Sequence, residues 1–175
     1  QMCIRDSFST DASDDEMDKY GHGTNVAGAI AKSTPSNVRL SCYKIHNQNG
    51  EGTSATALAA FEYIKQLSNK PDIINCSFAT RSGLGIVVDE LVDMGITVVA
   101  GAGNEGKEVY QQPAIFDSAI TVAATNRYGS AWSSSNYGPC VDIAAPGDYV
   151  YTADMSSNTA VSYTHLRAHE TKANL

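Results

Sequence analysis

The segment that most restricts the fold is Ile96-Thr97-Val98-Val99-Ala100, which carries no charge and runs straight into Gly101-Ala102-Gly103. A strand with one wet face alternates apolar and polar residues, whereas a strand covered on both faces reads as a near-continuous apolar run, the habit of parallel sheets. Ahead of it, Leu84, Val87, Val88, Leu91 and Val92 repeat at the i, i+3, i+4, i+7, i+8 spacing of an amphipathic helix, and Gly95 suits its C′ position. Similar reasoning predicts strands over Val38–Ile45, Asp72–Phe78, Ala119–Ala124 and Val141–Ala145. A second helix is capped by Thr53 or Ser54 and runs to about Asn69, with Leu58, Phe61, Ile64 and Leu67 on one side and Pro71 just beyond. The small-residue segment Gly21–Lys32 can be helical after Thr24. Strand alternating with helix implies parallel βαβ units and a doubly wound α/β sheet.

Composition bounds the function classes. The 175 residues suit one domain, and 42% hydrophobic residues are enough for a core. A net charge of −7 argues against a nucleic-acid partner, which needs clustered Lys and Arg. No stretch approaches the roughly 18 apolar residues of a membrane span. Four dispersed cysteines are no disulfide scaffold and read as buried hydrophobes. The acidic run Asp11–Asp18 reads as a solvated loop, and His46, in a polar turn beside Asn47, as an exposed structural residue.

The two ends of the chain are related in an unusual way. Codons for Met2-Cys3-Ile4-Arg5-Asp6 can be written so that their reverse complement encodes Val161-Ser162-Tyr163-Thr164-His165. Protein structure gives no reason for an antisense match of this kind, which resembles the inverted repeat of a library-preparation adapter translated in frame. Residues 1–7 and 161–175 are therefore read as non-native adapter-like segments flanking a partial domain over residues 8–160. Without them the chain loses three cations (Arg5, Arg167, Lys172) and two anions (Asp6, Glu170), so the net charge moves from −7 to −8.

Two segments carry chemistry. In Gly21-His22-Gly23-Thr24-Asn25-Val26-Ala27-Gly28, a histidine between glycines stands where a helix begins. The positive end of a helix disfavours protonation, which suits a general base, although a structural histidine in a glycine turn fits this segment equally well. In Gly101-Ala102-Gly103-Asn104-Glu105-Gly106, an Asn lies just past the C-terminal end of a buried strand. Ligands bind at that edge of a parallel sheet, and an amide there can donate to a developing oxyanion. The same residues fit GxGxxG, but a dinucleotide site needs a helix at that point and an acid about 20 residues on. Here Gln112-Pro113 intervenes, and Asp117 comes too early.

Taken together these segments resemble the subtilisin-like serine proteases, the subtilases. His22 to Gly28 resembles the family's His-Gly-Thr-His-Val-Ala-Gly, Ile74 to Ala79 its Ile-Asn-Met-Ser-Leu-Gly, and Ala100 to Gly106 its Ala-Ala-Ala-Gly-Asn-Glu-Gly. Ser133 to Gly138 and Val141 to Gly147 resemble its later Phe-Ser-Ser…Gly and Asp-Val-Met-Ala-Pro-Gly run. The resemblance spans residues 8 to about 155. It implies a three-layer subtilisin-like α/β fold, here incomplete, with a mostly parallel doubly wound sheet and helices on both faces. It implies a parent serine endopeptidase that cuts peptide bonds through a Ser/His/Asp triad and an acyl-enzyme. In that reading His22 is the general base and Asn104 the oxyanion-hole donor. A peptide or protein substrate lies as an added strand between Gly50-Glu51-Gly52 and Ser77-Phe78-Ala79, with Gly101, Ala102 and Gly103 walling a side-chain pocket.

The departures are specific. Asn25 stands for the family's second His, and Ala79 for a Gly. Lys32–Asn37 is short and lacks carboxylates, so the calcium loop of some relatives is not expected here. No cofactor or metal site is expected in this chain, calcium in the parent aside. Asp6-Ser7-Phe8 imitates the family's Asp-Ser/Thr-Gly but lacks the Gly, and Ser156, Ser157 and Ser162 lack a Gly-Thr-Ser-Met-Ala setting. With neither nucleophile nor orienting acid, the chain as given is expected to be inactive. The resemblance implies a monomer, and a secreted parent whose signal region is not in the chain. The alternative is a non-catalytic relative that keeps the groove as a peptide-binding module.

Overall fold

The computed structural model describes residues 4–9, 17–154 and 157–163. The apolar run forms β4 (Thr97–Gly101), whose last four residues are all buried. It lies between β3 (Ile73–Cys76) and β5 (Ile120–Thr125), and β6 (Ile143–Pro146) follows, giving a parallel sheet in the order β3-β4-β5-β6. The expected burial of β4 on both faces is what forms. Val98 and Ala100 join one cluster with Ile74 and Cys76, while Val99 is buried outside it.

That cluster is completed by two helices, α2 (Ser54–Gln66) through Ala57, Phe61 and Ile64, and α3 (Gly85–Asp93) through Val87, Val88 and Leu91. The cap of α2 is Thr53, whose hydroxyl accepts from Thr56 N at 3.1 Å while the Thr56 hydroxyl accepts from Thr53 N at 3.0 Å, a reciprocal capping box. The helix stops at Gln66, about one turn short of Asn69. β2, β3 and β6 are shorter than their expected segments and β5 keeps its expected length shifted by one residue, because pairing, not hydrophobicity, ends a strand.

The helix α1 (His22–Ser33) starts at His22 itself and not after Thr24. The reason is Asp18, whose carboxylate accepts from Tyr20 N, Gly21 N, Thr24 N and the Thr24 hydroxyl at 2.7–3.1 Å. Of the four orphan donors at the helix start, Gly21 N and Thr24 N find this one carboxylate. Asp18 is thus an anchor and not part of a solvated loop; the other acids of that run fall outside the described residues.

Two features were not anticipated. Ile4–Ser7 form a strand, β1, parallel to β2 (Ser41–Lys44). After β6 the chain turns into β7 (Val150–Asp154), antiparallel to β8 (Ser157–Tyr163), and β7 packs on α1, where the Thr152 hydroxyl donates to the Asn25 carbonyl. No helix among the described residues is long and apolar enough to cross a membrane.

Two substitutions on α3 separate burial from helix propensity. Leu91 is 0% exposed and Ile86 79% exposed. Leu91→Ala is expected to lower the unfolding free energy by about 2–5 kcal/mol, and Ile86→Ala by less than about 0.5 kcal/mol, as read from urea denaturation.

Candidate active site

β3 and β4 are adjacent and parallel, with Cys76 opposite Ala100, so Ser77, just past β3, and Gly101, the last residue of β4, lie at the same C-terminal edge of the sheet. The expected groove residues Ser77–Ala79 and the expected wall Gly101–Gly103 therefore share one edge. His22 reaches the same place from α1, its Nε2 lying 2.7 Å from the Ser77 carbonyl oxygen. A carbonyl only accepts, so Nε2 is the donor and carries a proton. Ser77 is buried and its Oγ accepts from Asn75 Nδ2 at 2.7 Å.

A second imidazole stands beside the first. The His46 ring centre is 6.3 Å from that of His22, edge-on at 69°, and 6.5 Å from that of Phe78. Phe78 in turn packs 6.2 Å from Phe61 of α2. His46 is half-buried, which corrects the expectation of an exposed turn residue. It sits two residues past the end of β2, and Gly52 is what lets it in. A Cβ on Gly52 would come within 2.5 Å of His46 Cδ2 and 2.9 Å of the Ile45 carbonyl. Burial lowers the His46 pKa, a charge on His22 lowers it further, and Asp18 opposes both. The turn behind it is tied by Asn47, whose Oδ1 accepts from Asn49 N and Glu51 N at 2.9 and 3.0 Å, so that Glu51 points outward and is exposed. Gly50 opens the same turn. Gly52, Phe78 and Ala79 line a pocket of about 390 Å³ with His46, so the two expected substrate-flanking segments do face each other.

The β4 loop has its own support, which sequence reasoning missed. Gly101, Ala102 and Gly103 are buried and Asn104 is half-buried. Behind them lies Asn136, 1% exposed, whose Nδ2 donates to the Ala102 carbonyl at 3.1 Å and to Glu105 Oε2 at 2.7 Å. Its Oδ1 accepts from Glu105 N and Lys107 N at 3.0 and 3.1 Å. Gly103 has φ 106°, and a Cβ there would collide with the Asn136 amide, so both conformation and space demand glycine. The available signal was a lone Asn in a Ser-rich turn, which on its own points nowhere.

Cys76 offers no alternative nucleophile. Cys76 is fully buried on β3, and burial pushes its thiol up to about 12, far from a reactive thiolate. Among the described residues no group of three or more His, Cys, Asp or Glu is arranged to hold a metal ion.

A family model described as the subtilase family matches residues 4–174. This chain belongs to the subtilase family. It is 35% identical over 152 residues to an extracellular serine proteinase of Thermus sp. strain Rt41A, covering 83% of this chain and 37% of that protein. It is 35% identical over 172 residues to subtilisin DY of Bacillus licheniformis, covering 90% and 59% respectively. The crystal structure of a cold adapted subtilisin-like serine proteinase superposes with a TM-score of 0.79 at 27% identity, covering 94% of this chain and 63% of that one. The subtilase chain described here thus spans less than two thirds of these relatives. The fold is accordingly α/β and subtilisin-like, with a parallel central sheet.

Within this subtilase chain, Asp6 lies on β1 opposite Tyr43, and its Oδ2 is buried without a hydrogen-bond partner. Ser157 and Ser162 fall on β8, and Ser156 lies outside the described residues.

Two measurements follow from this geometry. Asn136→Ala removes the partners of four loop groups, and leaving buried polar groups unpaired costs about 1–3 kcal/mol, so urea midpoints should fall and amide exchange should quicken from Ala102 to Lys107. The second concerns pH. The folded chain holds His46 below its ordinary value of 6.5, so the unfolded chain binds more protons there, and stability drops as pH falls below about 6.5. Asp18 adds a separate loss at lower pH: burial raises its carboxyl, but the hydrogen bonds from Gly21, Thr24 and Tyr20 outweigh this and hold it below 3.8. His46→Gln should flatten the thermal-melt profile just below pH 6.5 and leave the more acidic loss in place.

Proposed function

We propose that this chain carries the peptide groove and part of the catalytic apparatus of a serine endopeptidase of the subtilase type. His22 is the general base and Asn104 the oxyanion donor. A peptide or protein substrate runs between Gly50–Gly52 and Ser77–Ala79, with Gly101–Gly103 beside it. The observation that carries this reading is the His22 imidazole, held at the start of α1 by the Asp18 cap and 2.7 Å from the Ser77 carbonyl at the groove edge. The names of the relatives, an extracellular serine proteinase and subtilisin DY among them, support the reaction class and an extracellular setting. The parent works as a monomer with no nucleic-acid or membrane partner and, calcium aside, no cofactor.

As given, the chain is inactive. Its serines lack the surroundings that activate a nucleophile, and His22 carries a proton on Nε2, which it donates to the Ser77 carbonyl. A base must present a bare nitrogen to the serine, a tautomer the triad Asp enforces from the other side of the ring. The 175-residue chain should neither hydrolyse a quenched fluorescent peptide nor be labelled by a fluorophosphonate, and labelling of any serine would overturn this. A longer form carrying native sequence on both sides of residues 8–160 should hydrolyse the peptide. There Asn104→Ala should lower kcat by about 10²–10³-fold, a magnitude known from subtilisin. A longer form that binds peptides without cutting them would establish a peptide-binding module instead.

A further inference from the structure

The groove contains a pocket whose charge runs against that of the whole chain. It occupies about 390 Å³ between the segment from Ile45 to Ser54 and the segment from Phe78 to Arg81. That volume is in the range of side-chain and small-ligand sites. Ile45 and Phe78 form its apolar wall, and His46, Thr80, Arg81 and Gln111 its polar one. No Asp or Glu lines it, although acidic residues outnumber basic ones 19 to 12 in the sequence. Arg81 is its one permanent charge.

The backbone around Arg81 is fixed. Thr80 and Gln112 exchange both hydrogen bonds, Thr80 N to the Gln112 carbonyl at 2.9 Å and Gln112 N to the Thr80 carbonyl at 2.8 Å. The Thr80 hydroxyl donates to the Ser82 carbonyl at 2.9 Å. The side chain itself is exposed and, among the described residues, forms no ion pair. Its planar fork of donors matches a carboxylate in two-point fashion. An internal partner for that fork is absent from the pocket, whereas an extended peptide passing between the two segments presents every second side chain to one face.

Resting on the peptide groove proposed above, we infer that this pocket selects peptides bearing an acidic side chain, with Arg81 as the specificity-determining residue. The apolar wall receives the methylenes of a Glu, and the guanidinium at the rim receives its carboxylate. Because the pair forms at a solvent-exposed rim, the preference is modest and salt-sensitive.

The test is fluorescence anisotropy with the full 175-residue chain and dye-labelled six-residue alanine-based peptides, in which a single Glu, Gln or Lys is walked through the positions. At low salt one position should favour Glu over Gln by roughly 3–5-fold, and the advantage should shrink at high salt. Arg81 is exposed, so its substitution leaves the core intact. Arg81→Gln should erase the preference, and Arg81→Glu should make Lys the best residue at that position. The overall negative charge of the chain works against acidic peptides at every other position. Peptides that bind without distinguishing Glu from Gln, or a Glu preference that survives in Arg81→Glu, would overturn this inference and leave the groove standing. Failure of every peptide to bind would remove the groove reading and this one with it.

Discussion

The loop beyond β4 keeps its shape because one buried carboxamide satisfies it from behind. Asn136 donates twice and accepts twice within that loop, and its own backbone N–H donates to the Gly103 carbonyl at 3.0 Å. Its neighbours extend the seam. The Ser135 hydroxyl accepts from Ala124 N at 2.8 Å, Gly106 N donates to the Ser134 carbonyl at 2.9 Å, and Val109 N donates to the Tyr137 carbonyl at 2.9 Å. The segment from Ser134 to Tyr137, part of the β5–β6 connection, therefore sews the β4 loop to β5. An irregular loop at the edge of a buried sheet carries polar backbone that water cannot reach, and something in the fold must meet it. Here that requirement fixes Asn136, and Asn136 fixes Gly103. The position of Asn104 follows from both.

How much of this was legible depends on whether the signal was local. Burial writes itself along a strand, so β4 and the helix in front of it could be read from Val98, Val99 and Leu91 alone. A cap is also local, so the sequence narrows the start of α2 to Thr53 or Ser54. The His22 and Asn104 segments stood out because a polar residue among glycines at an element boundary is a local pattern. Asp18, by contrast, is one acid among several in a polar run, and its role exists only once Gly21 and Thr24 turn back over it. His46 looked like an exposed turn residue because nothing near it in sequence announces Phe78, which lies more than thirty residues away. Asn136 was hidden for the same reason. The β7–β8 hairpin carries no strong alternation and owes its place to α1.

The electrostatics of the groove follow from where burial stops. Asp18 keeps its charge because donors surround it, although burial works against it. His46 resists protonation, since it lies against Phe78 with only an opposing pull from Asp18. Two imidazoles 6.3 Å apart resist carrying a proton each, which adds to the burial that lowers His46. An uncharged His22 is what a base requires, but charge is only half of the requirement. The other half is the tautomer, and the Ser77 carbonyl draws the proton onto Nε2. Reversing that preference takes a carboxylate at Nδ1 strong enough to outbid a single neutral hydrogen bond, which charge-assisted bonds are. A carboxylate at Nδ1 and a serine at Nε2 would each reinforce the other's effect on that one ring.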